Sequence, residues 1–386
     1  MEERHLISSN MKWKEVLEIK SGKNQKDVAD INGCYPIYGS GGIIGYSKEY
    51  LCPAGTTIIG RKGTINSPLY VNEPFWNVDT AFGLIPSQQL VSKYLYYFCC
   101  YFNFKALDKS TTIPSLAKRD LENVEMPVPP LDEQSRIVAH IDELFSELDK
   151  AVDTLKTTKE QLAVYRQAVL KDAFDNAQAM CERFTPIEEL LVTDRKGMST
   201  GPFGTMLKKY EHKTTGVPML GIENIDSGKF IDGNKIFVTP EKAAELKSFA
   251  LKSGDIIISR SGTVGELCVV PPRMEGALLS TNLMRVSLDC QKVLPEYFIY
   301  LFQSKGIVLD QVKELCKGST RIFLNQTILK QIQFPIPNVH EQLQIINTIE
   351  SRLIFCDNIE KTVDTALAQA DAMRQSILKQ TFEEKI

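Results

Sequence analysis

Apolar side chains recur every seventh residue along one stretch of the chain. Ile141, Leu148, Leu155, Leu162 and Val169 are evenly spaced, and Leu144, Phe145 and Val152 fill the second seam position. That spacing predicts a helix with a coiled-coil stripe. Pro127, Pro129 and Pro130 stop regular structure just ahead of it. Asp132 and Glu133 then fall where the exposed N–H groups of a helix entrance favour acids. A helix over 132–175 would extend about 65 Å, at roughly 1.5 Å per residue, and its stripe needs a partner.

The chain supplies that partner by repeating itself. Pro127, Glu133, Gln134, Ile137 and Ile141 recur as Pro335, Glu341, Gln342, Ile345 and Ile349, each 208 residues on. The same offset carries Arg166, Gln167, Leu170, Lys171 and Phe174 onto Arg374, Gln375, Leu378, Lys379 and Phe382. It also carries Thr112, Leu116 and Leu121 onto Thr320, Leu324 and Leu329. The period is far too long for a solenoid, so this is a duplicated module. Ile349, Cys356, Val363, Ala370 and Ile377 keep the heptad phase of the first copy. The first helix leaves one globular unit for the next, and the second must run back. The two are therefore expected to pair antiparallel.

Outside the long helices the pattern changes to short strands and glycine turns. Tyr35–Tyr38 and Ile43–Tyr46 flank Gly39-Ser40-Gly41-Gly42, as two strands around a tight loop would. Thr56–Ile59 is a strand by its β-branched content, and it runs into Gly60-Arg61-Lys62-Gly63-Thr64. Asp255–Gly265 repeats that strand and turn in the second half, and Val217–Ile222 is a further strand. Here the offset is 199, from Arg61 to Arg260, so loop lengths differ between the copies. Val91–Phe104 is expected to be a buried helix, and Ser115 the N-cap of a short helix over Leu116–Asn123. The expected organisation is a globular unit at 1–128, a helix at 129–180, a second unit at 181–336 and a helix at 337–386. The fold class is α+β: two mixed α/β domains separated by two long antiparallel coiled-coil helices, with an internal pseudo-two-fold repeat.

Composition excludes more than it reveals. Hydrophobic residues make up 43% and charged residues 24% of the 386, ordinary for a soluble globular protein. The nine cysteines are scattered without a Cys-x-x-Cys, and the four histidines are isolated. Neither a disulfide framework nor a metal site is expected, and free thiols fit a reducing cytoplasm. The opening Met1-Glu2-Glu3-Arg4-His5 does not read as a signal peptide, and the longest apolar run, Tyr94–Phe104, is too short for a membrane span. No nucleotide-binding loop and no Asn/Asp-Pro-Pro-Tyr/Phe tetrad of the amino-methyltransferases occurs. Catalysis is not expected of this chain.

The net charge of −3 announces no nucleic acid, but charge is unevenly spread. Residues 11–119 hold 13 Lys and Arg against 8 Asp and Glu, whereas 132–175 hold 6 against 10. Basic ends on an acidic rod fit two separate anion-binding patches. Candidate basic groups include Arg61, Lys62 and Arg119 in the first unit. In the second they include Lys208, Lys209, Arg260, Arg285 and Arg321. Phosphate contact and turn stabilisation are both open for them.

Taken together these motifs resemble the specificity subunits of Type I restriction–modification systems, over essentially the whole chain. That family's pattern is a target-recognition domain, a Pro-Pro-Leu-x-Glu-Gln helix entrance and a long helix, then all three again. Pro129-Pro130-Leu131-Asp132-Glu133-Gln134 is similar to the entrance. Pro337-Asn338-Val339-His340-Glu341-Gln342 is a divergent second copy, with Asn338 where a proline is expected. The stretches Tyr38–Tyr46 and Ile257–Gly265 are similar to its recognition domains.

The resemblance implies that each domain reads half of a split, asymmetric DNA target. The helix pair would set the gap and dock two modification subunits. S-adenosylmethionine, ATP and Mg are expected on partner subunits and no cofactor on this chain; a motor-nuclease pair completes the assembly. Half-sites read from one face of the duplex lie about 34 Å apart. Two half-sites normally differ, so a side chain shared by both domains is a poor base reader. Arg61 and Arg260 are shared and are therefore assigned to phosphate contact or turn structure, and Lys62, Arg119, Ser261 and Arg321 are placed in the same class. Base-reading candidates fall where the copies differ: Asn24, Gln25, Asn66 and Asn77, and Lys208, Lys209, Tyr210 and Asn282. Glu133, Gln134, Glu341 and Gln342 are either partner-docking groups or ordinary first-turn residues. The competing readings are a coiled-coil scaffold that binds only proteins, and a self-sufficient methyltransferase.

Overall fold

The computed structural model describes residues 9–181, 184–203, 206–260, 264–304, 306–316 and 323–384. It divides into two compact units: Met1–Thr157 with Val363–Ile386, and Thr158–Thr362. In the first, Ser9–Lys12 pairs antiparallel with Glu125–Val128, the strand that leads into the first long helix. A four-stranded sheet runs Leu17–Ser21, Ala81–Pro86, Thr56–Gly60, Leu69–Val71. A three-stranded sheet runs Gly42–Ser47, Tyr35–Gly39, Trp76–Asn77, and helix Ser92–Tyr101 follows.

The second unit repeats this order element by element. Phe184–Pro186 pairs with Gln333–Pro335. The four-stranded sheet is Met198–Thr200, Leu283–Val286, Ile256–Ser259, Leu267–Val269. The three-stranded sheet is Ile236–Val238, Val217–Leu220, Leu278–Leu279, followed by helix Pro295–Gln303. Thr56–Gly60 and Ile256–Ser259 are buried at every position, which explains their unbroken apolar and β-branched content. The duplication thus extends through the whole unit, although in sequence it shows only in the helices, the segment leading into them and one strand and turn.

One connection differs. Ser40 and Gly41 alone join Tyr35–Gly39 to Gly42–Ser47, with Gly42 at φ +125°. In the second unit residues 221–235 make the same link and carry an extra hairpin, Ile225–Asp226 with Lys229–Phe230. Ser227 and Gly228 turn it at φ +48° and +81°. It lies on helix Pro295–Gln303 so closely that a Cβ on Gly228 would meet Gln303 Nε2 at 2.3 Å.

Two local expectations need correction. The helix expected at Leu116–Asn123 is only Lys118–Leu121, entered from Ala117 without a side-chain cap. Ser115 instead bridges to Lys62, and its N–H donates to Asp108 Oδ1 at 3.1 Å. The helix expected over Val91–Phe104 stops at Tyr101; Asn103 then caps a 3-10 turn, Phe104–Leu107, by accepting from Lys105 N.

The long helices span Leu131–Met180 and Val339–Lys379, the second continued by a π-turn at Gln380–Glu384. Within each unit they pair antiparallel. Arg374 meets Asp149 in the first unit. Arg166 meets Asp357 at 2.7 Å in the second. Asp149 and Asp357, like Arg166 and Arg374, are 208 residues apart, so one ion pair is made twice. Of the expected seam, Ile141, Leu162, Val169, Ile349, Cys356, Val363 and Ala370 are buried. Leu148, Leu155 and Ile377 are half-buried, as expected where a two-helix pair covers one side only. At the domain ends the stripe joins the globular cores. Phe382 packs on Tyr94 at 5.4 Å and Phe174 on Tyr297 at 5.3 Å. Burying each phenylalanine contributes about 1.5–3 kcal/mol.

The helix entrances are held by side chains buried completely. Gln134 Oε1 accepts from Val91 N at 2.8 Å, and its Nε2 donates to Gln89 O and Pro129 O. Gln342 does the same with Leu294 N, Lys292 O and Pro337 O. Both glutamines are 0% exposed. This corrects their reading as docking groups: every polar atom is already engaged inside its own unit. Glu341 and Asn338 form a reciprocal capping box at 3.0 Å, which is what asparagine gains in place of proline. Glu133 pairs with Arg136 at 3.3 Å near the surface.

Gln134→Leu and Gln342→Leu should each destabilise the chain by about 2–4 kcal/mol, because one buried donor and two acceptors are left without partners. Urea titration followed by circular dichroism checks this. A loss of stability well below 1 kcal/mol would show that the amides are dispensable.

Candidate nucleic-acid interface

Three segments meet at one edge of each unit. In the first, Gly22 N donates to Ala81 O and Lys23 N to Asn77 O, which seats loop 22–34 on segment 77–81. Arg61 N donates to Thr80 O at 2.8 Å, bringing the Arg61 turn to the same segment. In the second, Gly201 N donates to Leu283 O, and Thr281 Oγ1 to Pro202 O at 2.7 Å. Arg260 N donates to Asn282 O at 3.0 Å. The loop entering the three-stranded sheet, the arginine turn and the start of a core strand are thus joined in both copies.

The shared arginines are built into that junction. Arg61 Nη1 donates to Asp79 O at 3.3 Å, and its guanidinium lies 5.8 Å from the Phe82 ring centre. Arg260 donates to Leu324 O and Thr281 O at 3.3 and 3.1 Å. Leu116 N donates to Arg61 O and Leu324 N to Arg260 O, the same bond with its donors 208 residues apart. Both arginines therefore hold the turn, with donors left over. Lys62 and Arg119 are exposed on this unit. Ser261 and Arg321 lie outside the described residues.

The base-reading candidates divide. Asn24 and Gln25 sit in loop 22–34, where Asn24 is exposed and accepts from Lys26 N. Lys208, Lys209 and Tyr210 sit in the topologically equivalent loop before Val217. All three are exposed, Tyr210 by 72%, with the Lys208 ammonium 5.8 Å from its ring centre. Asn282 is exposed on the segment beside Arg260. Asn66 is an anchor as well as a surface residue, since its Oδ1 accepts from Phe104 N at 2.8 Å.

Asn77 and Arg285 must be withdrawn. Asn77 is 0% exposed; its Nδ2 donates to Lys20 O and Ala81 O and its Oδ1 accepts from Cys52 Sγ. Arg285 is buried and donates to Ala250 O and Lys196 O. Desolvation lowers its pKa, opposed by the nearby Asp255 carboxylate. Neither side chain can reach a nucleic acid.

Sequence reading missed the apolar groups on these surfaces. Ile43, Ile44 and Tyr46 are about half exposed on the edge strand Gly42–Ser47, and Phe203 and Met206 stand out near Lys208. In sequence they pass for core. The signal available was their place against glycine turns, where a strand at a sheet edge has no neighbour to cover it. Such groups suit apolar contact with a thymine methyl. Among the described residues no group of metal-ligating side chains occurs, and no helix is long and apolar enough to cross a membrane.

A duplicated, sheet-rich domain with its own helix defines a recognisable class. A family model described as the Type I restriction modification DNA specificity domain matches residues 8–162 and 203–369, and the chain belongs to that family. The EcoBI specificity subunit of Escherichia coli is similar, at 23% identity over 352 residues, covering 84% of this chain and 72% of the relative. The MjaVIII specificity subunit of Methanocaldococcus jannaschii is 23% identical over 341 residues, with coverage of 86% and 76%. A solved structure from work on complex assembly and conformational transition of the type I R-M system matches with a TM-score of 0.71. Its identity is 14%, with 98% of each chain covered, so the likeness is one of fold. The HsdS subunit from Thermoanaerobacter tengcongensis matches with a TM-score of 0.54 at 15% identity, covering 98% of this chain and 97% of its own.

Substitutions separate scaffold from contact. Arg260→Ala should lower stability by about 1–3 kcal/mol through its orphaned carbonyls. Lys208→Ala with Lys209→Ala should leave stability within about 0.5 kcal/mol, the usual range for exposed positions. The lysine pair should reduce the slope of log affinity against log salt by about 2, near 0.9 for each phosphate no longer neutralised. Thermal melts and DNA titrations at several salt concentrations read both effects; an unchanged slope in the lysine variant would remove that loop from the interface.

Proposed function

We propose that this chain is the sequence-specific DNA-recognition subunit of a Type I restriction–modification complex, without catalysis of its own. Each globular unit reads one half of a bipartite, asymmetric target. The observation that carries this is the edge built twice from the same bonds but presenting different loops: Asn24 and Gln25 in one, Lys208, Lys209 and Tyr210 in the other. A common frame with unlike contact groups is what reading two different half-sites requires. Lys62 and Arg119, and the spare donors of Arg61 and Arg260, supply phosphate contacts beside them.

The long helices hold the gap between half-sites and offer the docking surface for two modification subunits, with Glu133 and Glu341 at its acidic entrances. S-adenosylmethionine, ATP and Mg belong to those subunits and to motor-nuclease partners. DNA recognition assigns the work of the assembled complex to the cytoplasm.

The purified chain, or its complex with modification subunits, should bind target duplex with an affinity that falls steeply as salt rises. The chain alone, given S-adenosylmethionine and DNA, should transfer no methyl groups. A protein-binding scaffold would show no salt-dependent duplex affinity, and sustained methylation by the chain alone would make it an enzyme.

The gap can be tested separately. About four residues, roughly one helical turn, inserted within 145–165 and the same number within 353–373 should lengthen the spacer of the methylated sites and leave both half-site sequences intact. Mapping methylated adenines in cells carrying the altered chain reads this. Changed half-sites at constant spacing would refute it.

A further inference from the structure

At one place inside each unit the two copies differ in charge. In the first unit Lys93 Nζ lies 2.8 Å from Asp142 Oδ2, and the Tyr97 hydroxyl donates to the other oxygen of Asp142. Phe145 closes the site edge-on to Tyr97 at 5.6 Å, with the Arg374 guanidinium 5.0 Å from the Phe145 ring centre. The bonds already described align the second unit with it. Val91 and Leu294 donate to equivalent glutamines, and Tyr94 and Tyr297 donate to Pro127 O and Pro335 O at 3.0 and 2.8 Å. On that alignment Tyr97 becomes Tyr300, Asp142 becomes Glu350, Phe145 becomes Leu353 and Lys93 becomes Glu296.

Two of these changes open and charge the site. Leucine is smaller than phenylalanine, and a cleft of about 700 Å³ lies here, lined by Glu296, Tyr300, Glu350 and Leu353. The lysine that neutralised the carboxylate is now a second carboxylate. Among the described residues no cation stands within ion-pair reach of Glu296 or Glu350. Arg166 lines the cleft but is engaged by Asp357 and Glu360, at 2.7 and 2.9 Å. Burial first, then Glu350, Glu296 and Asp357, raise the Tyr300 pKa to about 12, so its hydroxyl remains a donor to carboxylate at neutral pH. Leu170, Ile299 and Phe302 give the cleft an apolar lining, while Asp226, Glu266 and Lys229 add two carboxylates and one ammonium on the hairpin side. Glu296 also lies in the first turn of helix Pro295–Gln303, where an acid is favourable, whereas the first copy begins the same helix with Lys93 at that position.

We infer that the cleft of the second unit binds a linear alkyl polyamine, one ammonium taking the place that Lys93 fills in the first unit. The internal copy shows that an ammonium on a short alkyl stem fits against this carboxylate and tyrosine. The cleft has small-ligand size, its apolar lining suits methylene groups, and acids on more than one wall suit a chain charged at both ends. A partner's lysine could present one ammonium but would leave the far carboxylates unmatched.

Spermidine is the probe, titrated into the full chain without DNA, at constant ionic strength, by calorimetry and thermal melting. Saturable one-to-one binding is expected, with a rise in Tm of about 2 °C or more once spermidine is in tenfold excess over its Kd. Glu296→Lys restores the first unit's arrangement; it should raise Tm by itself and abolish the saturable binding. Glu350→Gln should weaken binding at least tenfold. Lack of saturable binding to the unaltered chain overturns the proposal; if Glu296→Lys is then still stabilised, the position belongs to a partner's lysine. Equal binding by the chain and by Glu296→Lys overturns it as well, since that is unspecific attraction to an acidic surface.

Discussion

The buried amide at each helix entrance is the constraint on which the rest depends. A long helix with one apolar stripe can slide and roll on its partner, because dispersion and burial are not directional. Gln134 and Gln342 remove that freedom inside their own units. Each accepts the N–H of the residue that caps the helix after the sheets, and donates to one carbonyl just ahead of that helix and to one in the proline entrance. A leucine of similar volume would fill the space but leave those groups without partners. Specific orientation, more than raw stability, is what a satisfied buried amide supplies. The ion pair that recurs between Arg166 and Asp357, and between Arg374 and Asp149, acts in the same sense. Half-exposed as it is, it adds little energy and mainly sets register.

That arrangement was partly legible in the chain itself. Heptad spacing, proline entrances and the 208-residue offset were enough to place both helices and their antiparallel sense. The strand-and-turn repeat, at its own offset of 199, gave Arg61 and Arg260 as equivalent positions, and the structure finds both hydrogen-bonded to their turns. What could not be read was direction. Gln134, Asn77 and Arg285 are polar and looked like surface groups, yet each is buried among carbonyls it satisfies. Composition cannot distinguish a polar side chain that faces solvent from one that completes a backbone junction. The reverse error hid Ile43, Ile44 and Tyr46, apolar groups left open at a sheet edge. Strand pairing of the sheets was equally invisible, because Tyr35–Gly39 and Trp76–Asn77 are distant in sequence and pair only through the fold.

A duplicated chain contains its own comparison. Where the copies agree in bond as well as in residue type, the group serves the frame both units need. Where the frame is kept and the residue differs, the difference has to serve something local to one unit. The first unit joins two strands by Ser40 and Gly41, and the second by a fifteen-residue link with a hairpin lying on helix Pro295–Gln303. On the same ground the unlike loops at Asn24 and at Lys208 are proposed as contact groups.

Charge has to be read in the same local way. A net charge of −3 describes neither the basic loop at Lys208 nor the carboxylates Glu296 and Glu350 that line one cleft. Had drift alone turned Lys93 into its second-unit counterpart, a neighbouring cation would be expected to compensate, because like charges that line one cleft repel. Of the two cations that line the cleft, Arg166 is already held by two other acids, and Lys229 makes no ion pair with Glu296 or Glu350 among the described residues. Carboxylates without an ion-pair partner in an otherwise satisfied framework therefore argue for a counter-charge that arrives from outside the chain.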